Sequence, residues 1–215
     1  MRYGPMGARG LFDSLEKPAT FVLANLLWLV VSIPIITLPA ATAGLFAVFS
    51  PWVRGKPSEV FGDFFGAIRR HWLKSTLIGV LDAVVGGLTI SNIFILRLMD
   101  LELLPFLLFQ GVTLIVGLLL LVTNLYIWPL LVIFDPPLRR LLDTAFRLGL
   151  GHLPWSLVLL AGTVLLLALG LVVLPAMISL TVTFSGCALF INWGAWRIIR
   201  KYVPEEERAR LESQD

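Results

Sequence analysis

The sequence predicts an all-α, polytopic membrane helix bundle of six transmembrane helices, with five as the alternative, and with amphipathic elbow helices on the cytoplasmic side. Three observations predict it. Hydrophobic residues make up 58% of the 215 residues and charged ones 14%, with a mean hydropathy of +0.89. Soluble chains run at roughly 45–50% and about 25%. Charge is absent from Ala19–Val53, Leu103–Phe134 and Leu153–Trp196, and Ser75–Leu96 holds only Asp82. The basic residues, finally, fall almost entirely in loops that a six-span chain returns to one side. Such a composition has too little polar surface for a water-soluble globule and too little charge for disorder. The single cysteine, Cys187, excludes a disulfide framework and any CxxC metal or redox site.

A spanning helix needs about 20 apolar residues. The first run, Ala19–Val53, is long for one helix and tight for two. Pro34 and Pro39 in SIPIITLPA interrupt helical hydrogen bonding and divide it. Ser75–Leu96 and Leu103–Phe134 are single spans, and Leu153–Trp196 is two, divided near Pro175. Ala41-Thr42-Ala43 has the small-residue spacing of a signal cleavage site. The apolar run begins only at Ala19 and continues well past it, so the segment reads as a span.

Charge supports the even count. With six spans, one side collects Arg2, Arg9 and Lys17, then Arg54, Lys56, Arg69, Arg70 and Lys74. It adds Arg139, Arg140 and Arg147, then Arg197, Arg200, Lys201, Arg208 and Arg210, leaving only Arg97 opposite. Lys and Arg in short loops stay cytoplasmic, which predicts a multi-pass protein of a bacterial plasma membrane with both termini inside. The formal net charge of +3 belongs to these cations and reports orientation, not nucleic-acid binding. The tail Glu205–Asp215 reads as a solvated helix end.

The basic loops are patterned. PSEVFGDFFGAIRRHW opens with Ser58 as the expected N-cap and Glu59 in the first turn. It carries Val60, Phe61, Phe64, Phe65, Ile68 and Trp72 on one face, as for a helix lying in the headgroups. In the second loop Asp135 is expected to cap and Pro136 to open a helix striped by Leu138, Leu141, Leu142, Ala145 and Leu148. Phe65-x5-His71-x3-Ser75 and Phe146-x5-His152-x3-Ser156 repeat at a fixed offset, and Gly10–Pro18 is a weaker third copy. Within one membrane domain this suggests tandem elbow-plus-hairpin units over 10–53, 57–134 and 136–199.

The string NLLWLVVSIPIITLPAATAGLFAVFSPWVRGKPSEVFGDFFGAIRRHW, Asn25 to Trp72, resembles the YesL-like family of bacterial membrane proteins. The residues that carry the resemblance are Trp28, Ser32, Pro34, Ile35, Thr37, Gly44, Arg54, Gly55, Asp63 and Phe64. Pro39-Ala40 departs from the Gly-Ala more usual there, and the likeness is looser after the first hundred or so residues. The resemblance implies a domain of unknown function encoded beside carbohydrate uptake and glycan-degrading systems. An accessory or carrier role in sugar import follows, with a sugar permease or transporter subunit as partner. It carries no catalytic residue.

Ionisable groups deep in a bilayer cost several kcal/mol unless paired or wetted, so Asp82 is the first candidate, as a proton, cation or substrate site. Asn25, Asn124 and Asn192 stand near Trp28, Trp128 and Trp193. Amides beside indoles resemble the lining of a sugar site, but they also serve as interhelical bonds and interfacial anchors. Arg54, Arg69, Arg70, Arg139 and Arg140 are expected to meet anionic lipid or a partner. Gly79, Ala83 and Gly87, like Ala40 and Gly44, form small-residue faces for close helix approach. His71 and His152 are expected to be solvated interfacial side chains. No metal or cofactor is expected, and no G-x-S-x-G, Walker A, H-E-x-x-H or dinucleotide fingerprint is present, so no enzyme is predicted. The alternative function is a membrane scaffold or interaction subunit with no solute path.

Overall fold

The computed structural model describes residues 8–99, 102–173 and 176–204. Arg2, Arg208, Arg210, Pro175 and the tail Glu205–Asp215 lie outside the described residues. All the regular structure among the described residues is helical: α1 (Ala8–Ser32), α2 (Leu38–Val53), α3 (Val60–Leu98), α4 (Leu103–Phe134), α5 (Leu138–Gly151), α6 (Leu153–Ala168) and α7 (Ala176–Ile199). A single 3-10 turn, Ile35–Thr37, joins α1 to α2, and α6 runs on into a π-helical segment, Leu169–Val173.

The prolines place the breaks. Pro34 stands between α1 and the 3-10 turn, and Pro39 sits in the first turn of α2, where a missing N–H costs nothing. The first apolar run is therefore two helices, and they pack antiparallel. As partners on α1 advance from Phe21 to Trp28, those on α2 retreat from Phe49 to Thr42. The last run is helical up to Val173 and again from Ala176, and its two parts pack against each other; the expected divider, Pro175, lies outside the described residues. Among the described residues four segments are long and apolar enough to cross a membrane: Ile35–Val53, Val60–Leu98, Leu103–Phe134 and Leu153–Val172; Pro18–Ser32 is a shorter apolar helix.

Two further antiparallel pairs follow. α3 and α4 meet at Asn92–Thr113, Thr89–Gly117, Asp82–Asn124 and His71–Asp135, one constant register along the pair. α6 and α7 meet at Gly170–Thr183, Gly162–Phe190 and Leu159–Gly194. Three hairpins of even helix number return the chain each time to the same end, where Arg54, Lys74, Arg139 and Arg197 stand; Arg97, in the last turn of α3, is at the other.

α2 is the central helix. Phe46, Val48 and Phe49 are buried against α1, α3 and α7, and Phe64 of α3 closes over Gly44, where a Cβ would collide with its ring. Gly79 likewise leaves room for the ring of Pro39. A second cluster joins Leu125, Tyr126, Leu130 and Leu131 of α4 to Leu141, Ala145 and Leu148 of α5 and to Ala195, Ile198 and Ile199 of α7. The α3–α4 pair differs sharply: 50% of the most apolar stretch of Ile35–Val53 is buried, against 6% and 11% for α3 and α4. In hydrocarbon such outward Leu, Ile and Val side chains carry no solvation cost.

The elbows correct several expectations. The first is not a separate helix: α3 runs unbroken for 39 residues, or about 58 Å at ~1.5 Å per residue, nearly twice a hydrocarbon core of about 30 Å. Its buried face is Phe64, Ala67, His71 and Ser75, while Phe61, Phe65 and Trp72 point outward, so the expected stripe is split between core and periphery. Ser58 is not the N-cap. That position is Glu59, whose N–H donates to the Asp63 carboxylate four residues on (2.9 Å). α5 is a separate helix with the expected stripe inward, but Asp135 and Pro136 do not begin it; its N-cap is Pro137. Asp135 instead ends α4 in the left-handed conformation, φ 46°. Gly10–Pro18 lies inside α1, which continues through it.

Candidate functional site

The polar groups of the helix interiors form three separate sets. On α3 and α4, Asn124 Nδ2 donates to Asp82 Oδ1 (2.9 Å) and to Leu120 O (3.2 Å). Asn92 donates to Thr113 Oγ1 one level further out. Asp82 stands 11 residues from His71 and 10 from Asn92, so the three rungs are about 16 and 15 Å apart at ~1.5 Å per residue. The carboxylate is thus midway along the shared register, half-buried, and it borders a shallow apolar cleft of about 220 Å³ between α3, α4 and α5.

The amides of α1 and α7 turn elsewhere. Asn25 is fully buried and its Oδ1 accepts from the Ser185 backbone N–H (2.9 Å), while Ser185 Oγ donates to Phe21 O (3.0 Å). Trp28, one turn along, donates to Thr42 Oγ1 (3.2 Å) and lies against Phe184 with ring centroids 4.3 Å apart. Asn192, also buried, donates to Phe46 O (3.2 Å), and Trp128 packs on the ring of the same Phe46 at 6.3 Å. Trp193 is exposed at the α7 end, stacked on Phe190, and the Arg197 guanidinium lies 5.2 Å from Trp155 and 5.8 Å from Trp193. The structure therefore brings Asp82 to Asn124, Asn25 and Trp28 to α7, and Asn192 and Trp128 to α2. It does not gather the amides and indoles around one cavity. Each bond between helices is worth about 0.6 kcal/mol in a bilayer, so these groups pin helix register more than they add stability.

At the basic end, an unanticipated cluster ties the α3–α4 pair together. Asp135 Oδ1 accepts from Lys74 Nζ (2.6 Å) and lies 3.1 Å from His71 Nδ1, and Lys74 also reaches the Asp135 and Pro136 carbonyls. His71 is buried, not the solvated side chain expected, because Phe64, Ala67 and Ser75 share its face of α3. The spacing to Asp135 across 64 residues is invisible until the register of the two helices is known. Tyr126 is a second missed member: its hydroxyl meets Ser156 Oγ at 2.9 Å, and Ser156 donates to Gly149 O and His152 O, joining α4 to the α5–α6 corner.

Of the basic candidates, Arg54 caps the end of α2 and its Nε donates to Ser50 O (3.2 Å); burial lowers its guanidinium, and the nearby Asp63 opposes the shift. Arg69 and Arg70 are exposed on α3, Arg139 and Arg140 on the first turn of α5. Among the described residues no three His, Cys, Asp or Glu side chains are placed to hold a metal ion.

Comparison with known proteins adds a family and no activity. The family model described as "Protein of unknown function, DUF624" matches residues 21–93. The chain is 30% identical over 169 residues to the Bacillus subtilis (strain 168) protein named "Uncharacterized protein YteU", covering 74% of this chain and 71% of YteU. It is 27% identical over 149 residues to "Uncharacterized protein YesL" of the same organism, covering 67% and 69%. No solved structure matches the chain. With Trp28, Pro34, Gly44 and Phe64 all inside the matched segment, the chain belongs to the YesL-like, DUF624 family of proteins of unknown function.

Proposed function

We propose that the chain is a non-enzymatic, six-span plasma-membrane protein with both ends cytoplasmic, and that it works as an interaction subunit holding a second membrane protein against its α3–α4 hairpin. One observation carries the reading: the most apolar stretches of the hairpin are hardly buried within the chain, yet the Asp82–Asn124 rung stands midway along it. Intramembrane carboxylates face protein or water, because lipid offers them no hydrogen bonds. A surface used only by lipid has no need of one. The inner amides, by contrast, are bonded to neighbouring backbones.

A carrier is the second reading, favoured by Asp82 alone. The carbohydrate association that the resemblance implied has no support in the relatives' names or in the geometry. Affinity capture of the tagged chain in native lipid discs, with Asp82→Leu beside the wild type, separates the two. The interaction reading expects a stoichiometric membrane partner to fall by about tenfold, a change of roughly 1.4 kcal/mol, with the chain itself retained in the membrane. An unchanged partner with loss of solute uptake would establish the carrier.

A further inference from the structure

A cavity of about 870 Å³ lies away from the Asp82 rung, at the basic end. It opens between the end of α4, the outer face of α5 and the residues that follow α7. One face of α5 supplies Arg140, Thr144 and Arg147, at helical spacing, and the α5–α6 corner supplies His152. Tyr202 lines it as well, beside His152. Behind these polar groups the walls are apolar, formed by Phe134, Leu148 and Ile199.

The donors outnumber their uses. Arg140 makes no hydrogen bond or ion pair with the described residues, and Arg147 has only Asp143, at 2.9 and 3.0 Å from its Nε. That bond engages one of five guanidinium N–H groups. The His152 ring touches Tyr202 Oη through Nε2 (3.3 Å), while its Nδ1 is buried with no partner among the described residues. Buried polar atoms are rarely left so, and an unfilled site is one reason for an exception. The carboxylate in the wall, Asp135, is already committed to Lys74 and His71.

From this arrangement we infer that the cavity is a binding site for a phosphate-bearing ligand with an apolar body. Two guanidinium forks match the paired oxygens of a phosphate, and Thr144 and Tyr202 add hydroxyl donors. The volume far exceeds a bare phosphate and falls within the range of small-molecule sites, so the apolar walls take the rest of the ligand. The cavity stands where α4 ends and α6 begins, the level at which lipid phosphates lie if these helices span. The same chemistry would accept a phosphorylated metabolite from solution. The inference is independent of the partner proposed for α3–α4.

The test uses the full chain in two arms. In the first, native mass spectrometry follows retention of phosphatidic acid against phosphatidylcholine. In the second, inorganic phosphate is titrated onto the chain in phosphatidylcholine nanodiscs. Replacing both guanidinia, as R140Q/R147Q, is expected to lower binding by about tenfold, whereas R139Q, on the neighbouring exposed position outside the cavity, changes it by less than about twofold. R147K, which keeps the charge and loses the fork, falls between and serves if the double variant does not fold. Selective phosphatidic acid retention identifies a lipid ligand, and phosphate binding in nanodiscs identifies a soluble one. Equal losses in R139Q and R140Q/R147Q, or no binding of either probe, would overturn the site.

Discussion

The string Phe65-x5-His71-x3-Ser75 enters its span without bending, whereas Phe146-x5-His152-x3-Ser156 turns a corner. In both, the serine hydroxyl bonds the histidine carbonyl four residues back, at 2.9 and 3.1 Å, so the local chemistry is shared. The difference is two residues after the histidine, where the first copy has Leu73 and the second Pro154. Proline has no N–H for the carbonyl four residues back, and its ring clashes with that carbonyl. A helix therefore continues through Leu73 and restarts at Leu153, with Pro154 in the first turn of α6. The consequences reach the histidines. His71 stays on a helix face that α4 covers and finds Asp135; His152 is left at a bend beside the cavity at the basic end and finds Tyr202. One repeated motif thus makes a half-buried clamp in one place and a cavity wall in the other.

The comparison can be broken most directly by exchange. Leu73→Pro is expected to cost about 3 kcal/mol or more, as for any proline set in a helix interior, and to part His71 from Asp135. Thermal unfolding in detergent reads it, and a midpoint equal to the wild type would show that α3 is not held straight by its backbone. A smaller effect belongs to Asp135→Gly. Glycine accepts the left-handed φ without strain, so the change isolates the carboxylate that binds Lys74 and His71. The pair is partly exposed, and the expected loss is about 1–2 kcal/mol in the same measurement. No loss would make the cluster ornamental. Smallest of all is Pro154→Leu. The corner is also fixed by Leu141, Ala145 and Leu148 in the core and by Gly149 against Val122, so the angle between α5 and α6 should persist. Spin labels on the two helices would report it, and a straightened helix would make proline the sole cause of the bend.

Much of the architecture was legible in the chain. Proline positions divided the first apolar run, and the stripe of α5 gave its buried face. Expectations about individual polar groups fared differently. Ser58 has the right residue type for an N-cap, but the chain turns one residue later and Asp63 reaches back to Glu59. Asp135 has the residue type of an N-cap ahead of Pro136, but in the fold it closes α4, and Pro137 is the N-cap of α5. The amides near tryptophans proved to be separate interhelical bonds, because each points to whichever neighbour its helix rotation offers.

By itself the sequence determined the solvent, the helical periodicity and the places where helices cannot continue. These depend on transfer free energy and backbone hydrogen bonding, which are local to a segment. Tertiary structure alone decided which groups meet: Asp82 with Asn124, His71 and Lys74 with Asp135, Asn25 with Ser185 across 160 residues. A pairing of that kind is set by the register and rotation of two packed helices, and both arise from the collective fit of small and large side chains such as Gly44 under Phe64 and Gly79 under Pro39. No single stretch of chain contains that information.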